Sequence, residues 1–170
     1  MKILVGCEHS GRVREAFRSQ GHEAVVLMFR NGQYEGSGND LYMTPPSLIR
    51  ELITEFGDAY GRYFDPCPAN WDGEVDGLLI NWPLRSFSFV NPPYSNIAAW
   101  AKKCREQAER GCTVVLLIPS RTCTAYFHDY IYESAELRFI RGRVKFHDPQ
   151  TGEPMKTAPF PSMLCIWEGS

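Results

Sequence analysis

SFSFVNPPYSNIAAWAKKCREQAERGCTVVLLI, residues 86–118, carries the alternation on which the fold reading rests. Ser86 to Val90 alternates as a strand and stops at Asn91-Pro92-Pro93-Tyr94, where two prolines end any ladder. Ser95 or Asn96 then caps a helix in which Ile97, Trp100, Ala101, Cys104 and Ala108 repeat at spacings of three and four. Gly111 terminates it, and Thr113 to Ile118 is an unbroken apolar run. A run of that kind belongs to a strand buried on both faces, so helices must cover both sides of the sheet. The stretch therefore predicts a three-layer α/β fold with a mostly parallel central sheet.

Outward from this stretch, the pattern continues in both directions. Lys2 to Cys7 and Ala24 to Phe29 are short apolar runs. Between them lies a helix-like segment with Val13, Ala16 and Phe17 on one face, which makes residues 1–30 a βαβ-like unit. Asn31 to Asn39 is rich in glycine and has no periodicity, as a linker does. A catalytic core is expected over 40–170, the whole forming one domain of 170 residues. In that core Thr44 is expected to cap a helix with Pro45 at its first position. Leu48, Ile49, Leu52, Ile53 and Phe56 line one face, and Gly57 stops it. Arg62 to Asp65 reads as a strand ending in Pro66-Cys67-Pro68. A helix over 124–134 follows the central stretch. Leu137 to Ile140 and Val144 to Phe146 predict an antiparallel C-terminal hairpin, and Met163 to Trp167 the closing strand.

Composition removes several classes. Hydrophobic residues make up 44% of the chain and charged residues 22%, with a net charge of −2, which is globular rather than disordered. No apolar run reaches the roughly 20 residues of a membrane span, and the first nine residues do not read as a signal peptide. None of the six cysteines forms a C-x-x-C pair, so no metal site is expected and the thiols are read as reduced, in a cytoplasmic protein. Near-neutral charge argues against a general nucleic-acid coat but leaves room for one local basic patch.

The residue types at 91–94 fit a particular chemistry. An amine conjugated to a ring or carbonyl is a poor nucleophile, because its lone pair is delocalised. Two acceptors beside such an NH₂ group favour the form in which the lone pair is available. Asn91 offers a side-chain carbonyl and Pro92 a backbone carbonyl. Pro93 stiffens the turn, so that both are preorganised, and Tyr94 offers a ring for an extruded base. Strand ends are also where open α/β sheets bind ligands. A methyl donor's pocket would then be built at the neighbouring strand end, with Asp65 as acceptor and the helix start at Thr44-Pro45 supplying N–H donors.

These residues stand in a longer pattern. Asp40-x-Tyr42-x-Thr44-Pro45, Glu55-Phe56-Gly57, Phe64-Asp65-Pro66-Cys67, Asp76-Gly77-Leu78, Trp82 and Asn91-Pro92-Pro93-Tyr94-Ser95 come in that order. Leu117-Ile118-Pro119, Arg121-Thr122, Phe139-Ile140-x-Gly142-Arg143-x-Lys145-Phe146 and Ala158-Pro159-Phe160-Pro161-Ser162 follow. Over residues 40 to 167 this resembles the phage-type DNA N6-adenine methyltransferase (Dam-like) family. The resemblance implies a Rossmann-like methyltransferase fold, S-adenosyl-L-methionine as donor, adenine in double-stranded DNA as acceptor, and a phage or prophage origin. It makes Asn91, Pro92, Pro93 and Tyr94 the catalytic motif. Thr44, Pro45, Asp65, Cys67, Asp76 and Asn91 become donor-site candidates. The chain departs from the methyltransferase pattern in one place: Pro66-Cys67-Pro68 stands where a glycine-rich turn is usual. Residues 1–29, with Cys7-Glu8-His9-Ser10-Gly11-Arg12, resemble instead the opening of a phage family related to the cytosine C5 enzymes, and are expected to complete the sheet.

Arg121, Arg141, Arg143 and Lys145, with Arg138 among them, form a basic cluster suited to a phosphate backbone, or alternatively a solvated edge strand. The proline- and glycine-rich segment Asp148 to Pro161 reads as a loop that closes over DNA or donor. Other readings stay open. The Asn-Pro-Pro-Tyr turn equally suits N4 of cytosine, RNA adenine or a protein glutamine amide. Pro66-Cys67 is a dipeptide of the kind used as a nucleophile in cytosine C5 methylation. A non-catalytic nucleotide- or DNA-binding module would keep the same fold. A chain this short leaves little surface for target reading, so a short or loose DNA site is expected.

Overall fold

The computed structural model describes residues 2–6, 23–27, 29–30, 42–57, 61–69 and 76–169. The segment read as a helix between the first two strands and the linker at 31–39 lie outside these residues. β1 (Lys2–Gly6) and β2 (Glu23–Leu27) pair in parallel as a two-stranded sheet. Among the described residues they pair with each other and not with the main sheet. The N-terminal segment joins that sheet through the short β3 (Phe29–Arg30), which lies antiparallel to β4 (Tyr63–Phe64).

The main sheet has six strands in the order β3-β4-β5-β6-β8-β7. β5 (Phe87–Val90) and β6 (Thr113–Pro119) continue β4 in parallel. β8 (Ser162–Trp167) and β7 (Glu136–Phe139) extend the other side antiparallel. The result is a mixed α/β sheet with a parallel heart. Strand alternation divides its side chains between two cores. Phe64, Val90, Val114, Leu116, Ile118, Met163, Cys165 and Trp167 face one core. It is closed by Trp82, by α2 (Ile97–Glu109) and by α3 (Ala125–Tyr130). Tyr63, Phe87, Phe89, Val115, Leu117, Leu164 and Ile166 face the other, closed by α1 (Pro46–Phe56) together with Val144, Phe146 and Ala158. Both faces of β5, β6 and β8 are buried, as the apolar runs require.

The helix signals place the site's supports. α2 follows a 3₁₀ turn at Tyr94–Asn96 and ends at Arg110, after which Gly111 takes a φ of 97° that other residues resist. Its buried Gln107 accepts the Trp82 backbone N–H at 2.8 Å, tying the loop before β5 to the helix. α1 differs from expectation at its start: its N-cap is Pro45, no side chain caps it, and Pro46 is its first residue. Thr44 is one position too early to cap. The helix expected over 124–134 is shorter, because Glu133 adopts a φ of 60° and the chain turns at 131–134.

The C-terminal hairpin also takes another form. β7 pairs with β8, not with 144–146. After Gly142, whose φ is 82°, Val144 and Phe146 turn inward to the α1 core, and His147 pairs with Met43 instead. The arm from 144 to 158 is irregular but tied down. Met43 and His147 exchange both backbone N–H···O bonds, at 3.1 and 2.8 Å. Met155 N–H reaches the Phe146 carbonyl at 2.7 Å, and Ala158 N–H the Val144 carbonyl at 3.0 Å.

Candidate functional site

β4, β5 and β6 run in parallel, so Asp65, Asn91 and Arg121 all leave the sheet at its carboxyl end. β7 and β8 add their own termini there, since Phe139 is paired with Met163 and Pro119 with Ser162. A narrow cleft lies at this end, lined by Tyr42, Thr44, Asp65, Cys67, Ala69, Phe89 and Asn91. Four of the expected site residues thus meet: Thr44, Asp65, Cys67 and Asn91. Asp65 is buried, at 7% exposure, and one of its oxygens accepts the Cys67 N–H at 3.1 Å. Thr44 is also buried.

Asn91 is anchored from outside its own turn. Its Nδ2 donates to the Tyr42 carbonyl at 2.7 Å, a contact across 49 residues of sequence. A carbonyl can only accept, so this bond fixes the nitrogen end of the amide on Tyr42 and leaves the oxygen on the other side. The Tyr94 hydroxyl stands 3.5 Å from that Oδ1. Pro93 gives its carbonyl to the Asn96 N–H at 3.0 Å, whereas the Pro92 carbonyl meets no donor among the described residues. The turn therefore carries two acceptors on consecutive residues, Asn91 Oδ1, which takes the Tyr94 hydroxyl, and Pro92 O.

Tyr94 sits in an aromatic group. Its ring centroid lies 5.4 Å from Phe160, 6.1 Å from Tyr42 and 6.5 Å from Phe146. Tyr42 and Phe146 are 5.5 Å apart. The proline-rich segment supplies Phe160 and the arm supplies Phe146, so both flank the motif instead of hanging free of it. Their role was not legible in the sequence beyond their place in the quoted pattern. Phe89 and Ala69, which lie outside that pattern, give the cleft its apolar wall.

Two donor-site candidates fall elsewhere. Pro45 is half-buried at the start of α1 and does not line the cleft. Asp76 accepts the Leu78 N–H at 2.9 Å and shapes a turn beside Pro66. Gly77 packs so closely there that a Cβ would collide with the Pro66 carbonyl.

Cys67 lines the cleft, but burial pushes its thiol well above the ordinary range, and the Asp65 carboxylate adds to the rise. A thiol held neutral is a poor nucleophile, which argues against the cytosine C5 route. Cys104, Cys112 and Cys165 are likewise raised by burial. Among the described residues no group of His, Cys, Asp and Glu is placed to hold a metal ion. No helix among them is long and apolar enough to cross a membrane.

The basic cluster separates into two parts. Arg121, Arg141, Arg143 and Lys145 are exposed and form no ion pair among the described residues. Arg138 does not belong with them: it binds Glu55 at 2.7 Å and Glu136 at 2.5 Å, and lies over the Phe56 ring. Those pairs lower the Glu55 carboxyl's pKa and raise the guanidinium's.

The family model described as DNA N-6-adenine-methyltransferase (Dam) matches residues 32–170. A DNA N-6-adenine-methyltransferase of Escherichia phage T1 is 30% identical over 154 residues, covering 79% of this chain and 62% of the relative. The chain thus spans about three fifths of the length of that relative. No solved structure matches it.

Proposed function

The chain belongs to the DNA N-6-adenine-methyltransferase (Dam) family, and from that premise we propose that it methylates the N6 amine of adenine in DNA, with S-adenosyl-L-methionine as donor. One observation carries the proposal: Asn91, on the lining of the Asp65 cleft, has its amide nitrogen held by the Tyr42 carbonyl, which supports a reading in which its oxygen and the Pro92 carbonyl act together as acceptors. We read the fold as a Rossmann-like methyltransferase sheet whose usual glycine-rich turn is replaced by Pro66-Cys67-Pro68.

The cleft suits the donor chemically. Asp65 is a buried acceptor for a ribose hydroxyl or an ammonium, Thr44 brings a hydroxyl, and Phe89 and Ala69 give an apolar wall for a purine. S-adenosylmethionine supplies an electrophilic methyl group on a sulfonium centre. The chain's own residues do the rest. Asn91 Oδ1 and Pro92 O accept the two amine hydrogens and draw the nitrogen lone pair out of conjugation. Tyr94, braced by Phe160, offers a ring to the extruded base. The proton leaves the methylated amine after transfer, so no strong general base is required. Arg121, Arg141, Arg143 and Lys145 take phosphates on the same end of the sheet.

The test is incubation with donor and DNA free of modified bases, followed by digestion to nucleosides and mass spectrometry, with Asn91→Ala in parallel. N6-methyladenine from the wild type and none from the variant is the expected result. N4-methylcytosine would move the acceptor, and no methylated nucleoside despite donor binding would refute DNA as substrate.

A further inference from the structure

Phe139 closes β7, pairs with Met163 across the strand, and is 64% exposed. Its ring joins neither hydrophobic core, whereas Leu137, two residues before it, packs against one. The chain then turns through Arg141-Gly142-Arg143. These three residues are exposed, and around Gly142 there is open space where a Cβ would stand. Arg121 follows β6 at the same end of the sheet. An exposed aromatic ring thereby ends a strand two residues before Arg141, at the same end of the sheet as Arg121; these arginines form no ion pair among the described residues, while Arg138, on the opposite face of β7, is fully engaged.

Sheet order sets the offset from the acceptor pair. β5 to β7 is three strand steps, through β6 and β8. At about 4.8 Å per step this is about 14 Å. That is too far for Phe139 to touch a base held at Asn91 and Tyr94. It remains within the span of the same duplex, where the stack has lost that base.

We propose that Phe139 inserts into the DNA base stack and holds open the gap left by the extruded base, with Arg141, Arg143 and Arg121 on the adjoining phosphates. The inference rests on the nucleic-acid reading above. Apolar wedges that unstack base steps do this work in other DNA-bending proteins. Extrusion is costly only where the base was paired and stacked, so the side chain matters for duplex and not for single strands.

The experiment compares wild type, Phe139→Ala and Phe139→Leu on duplex DNA and on the same DNA heat-denatured, read as methylated nucleoside. The expected loss for Phe139→Ala is about 10-fold or more on duplex and under about 3-fold on denatured strands, with Phe139→Leu retaining most activity. Equal loss on both forms, or no loss on duplex, would overturn the proposal. A second arm follows the emission of Phe139→Trp as duplex is added, against the wild type as background. Quenching by duplex supports insertion. Emission that ignores DNA, or that follows protein concentration through pairing at the free β7 edge, overturns it. Should the wild type methylate neither form, the methyltransfer reading fails while the emission arm still decides insertion.

Discussion

Asn91→Asp is the substitution that separates the anchoring of the acceptor from its mere presence. Aspartate has nearly the same size and keeps an oxygen in the place of the amide oxygen. In this chain, however, the group facing the Tyr42 carbonyl at 2.7 Å must be a donor. A carboxylate there sets oxygen against oxygen. The lost bond is worth about 0.5–1.5 kcal/mol, and the acceptor left opposite an acceptor about 1–3 kcal/mol when fully buried. Asn91 is only half-buried, so water absorbs part of this, and about 1–2 kcal/mol should remain. That is roughly a 5- to 30-fold fall in kcat/KM. The neutral carboxyl can donate to Tyr42, so the site favours the protonated form and holds the introduced carboxyl above the ordinary aspartate value of about 3.9. The deficit should therefore shrink as pH falls and be complete at high pH, where the wild type keeps its bond. Methyl transfer from labelled donor, measured for both proteins at several pH values, reads it. A variant within about twofold of wild type at every pH would refute the anchoring argument.

Three other outcomes are expected. Replacing Arg121, Arg141 or Arg143 by Gln should each lower the slope of log Kd against log salt by about 0.9, while Arg138→Gln should leave it unchanged and cost under about 1 kcal/mol of stability. Cys67→Ser should keep activity within about threefold. At neutral pH a maleimide should label the exposed Cys123 and spare Cys67, whose reactivity appears only as pH is raised far into the alkaline range. Gly77→Ala drives a Cβ into the Pro66 carbonyl. It should cost about 1–3 kcal/mol, lowering Tm by roughly 2–4 °C per kcal/mol in calorimetry, and weaken donor affinity by shifting the Pro66-Cys67 turn.

Short-range patterns told most where burial is two-sided. β5, β6 and β8 were readable because every residue of each, or nearly so, is apolar or packed. The Asn91–Tyr94 turn was readable because its chemistry lies in consecutive residues. What failed was long-range pairing. Val144 and Phe146 have strand-like composition, yet they serve the α1 core, and His147 takes its backbone partner from Met43, about a hundred residues earlier. Thr44 looks like a cap but is displaced by Pro45 and faces the cleft instead. Arg138 looked like one more cation of the patch, because nothing local points to Glu55 as its partner. The Tyr42 anchor of Asn91 and the ring group around Tyr94 come from three separate segments that only the sheet order brings together.

β8 lies between β6 and β7, although β7 precedes it in the chain. During synthesis β7 therefore has no place in the sheet until residues 162–167 have emerged and slotted against β6. Until then β6 offers a bare, strongly apolar edge, the kind of surface chaperones bind. The Phe139–Arg143 projection and Phe160 can take their places only after that insertion. A ribosome stalled before residue 162 would thus carry a chain with Arg121 in reach of its Asn-Pro-Pro-Tyr turn but with Phe139, Arg141 and Arg143 not yet fixed beside it.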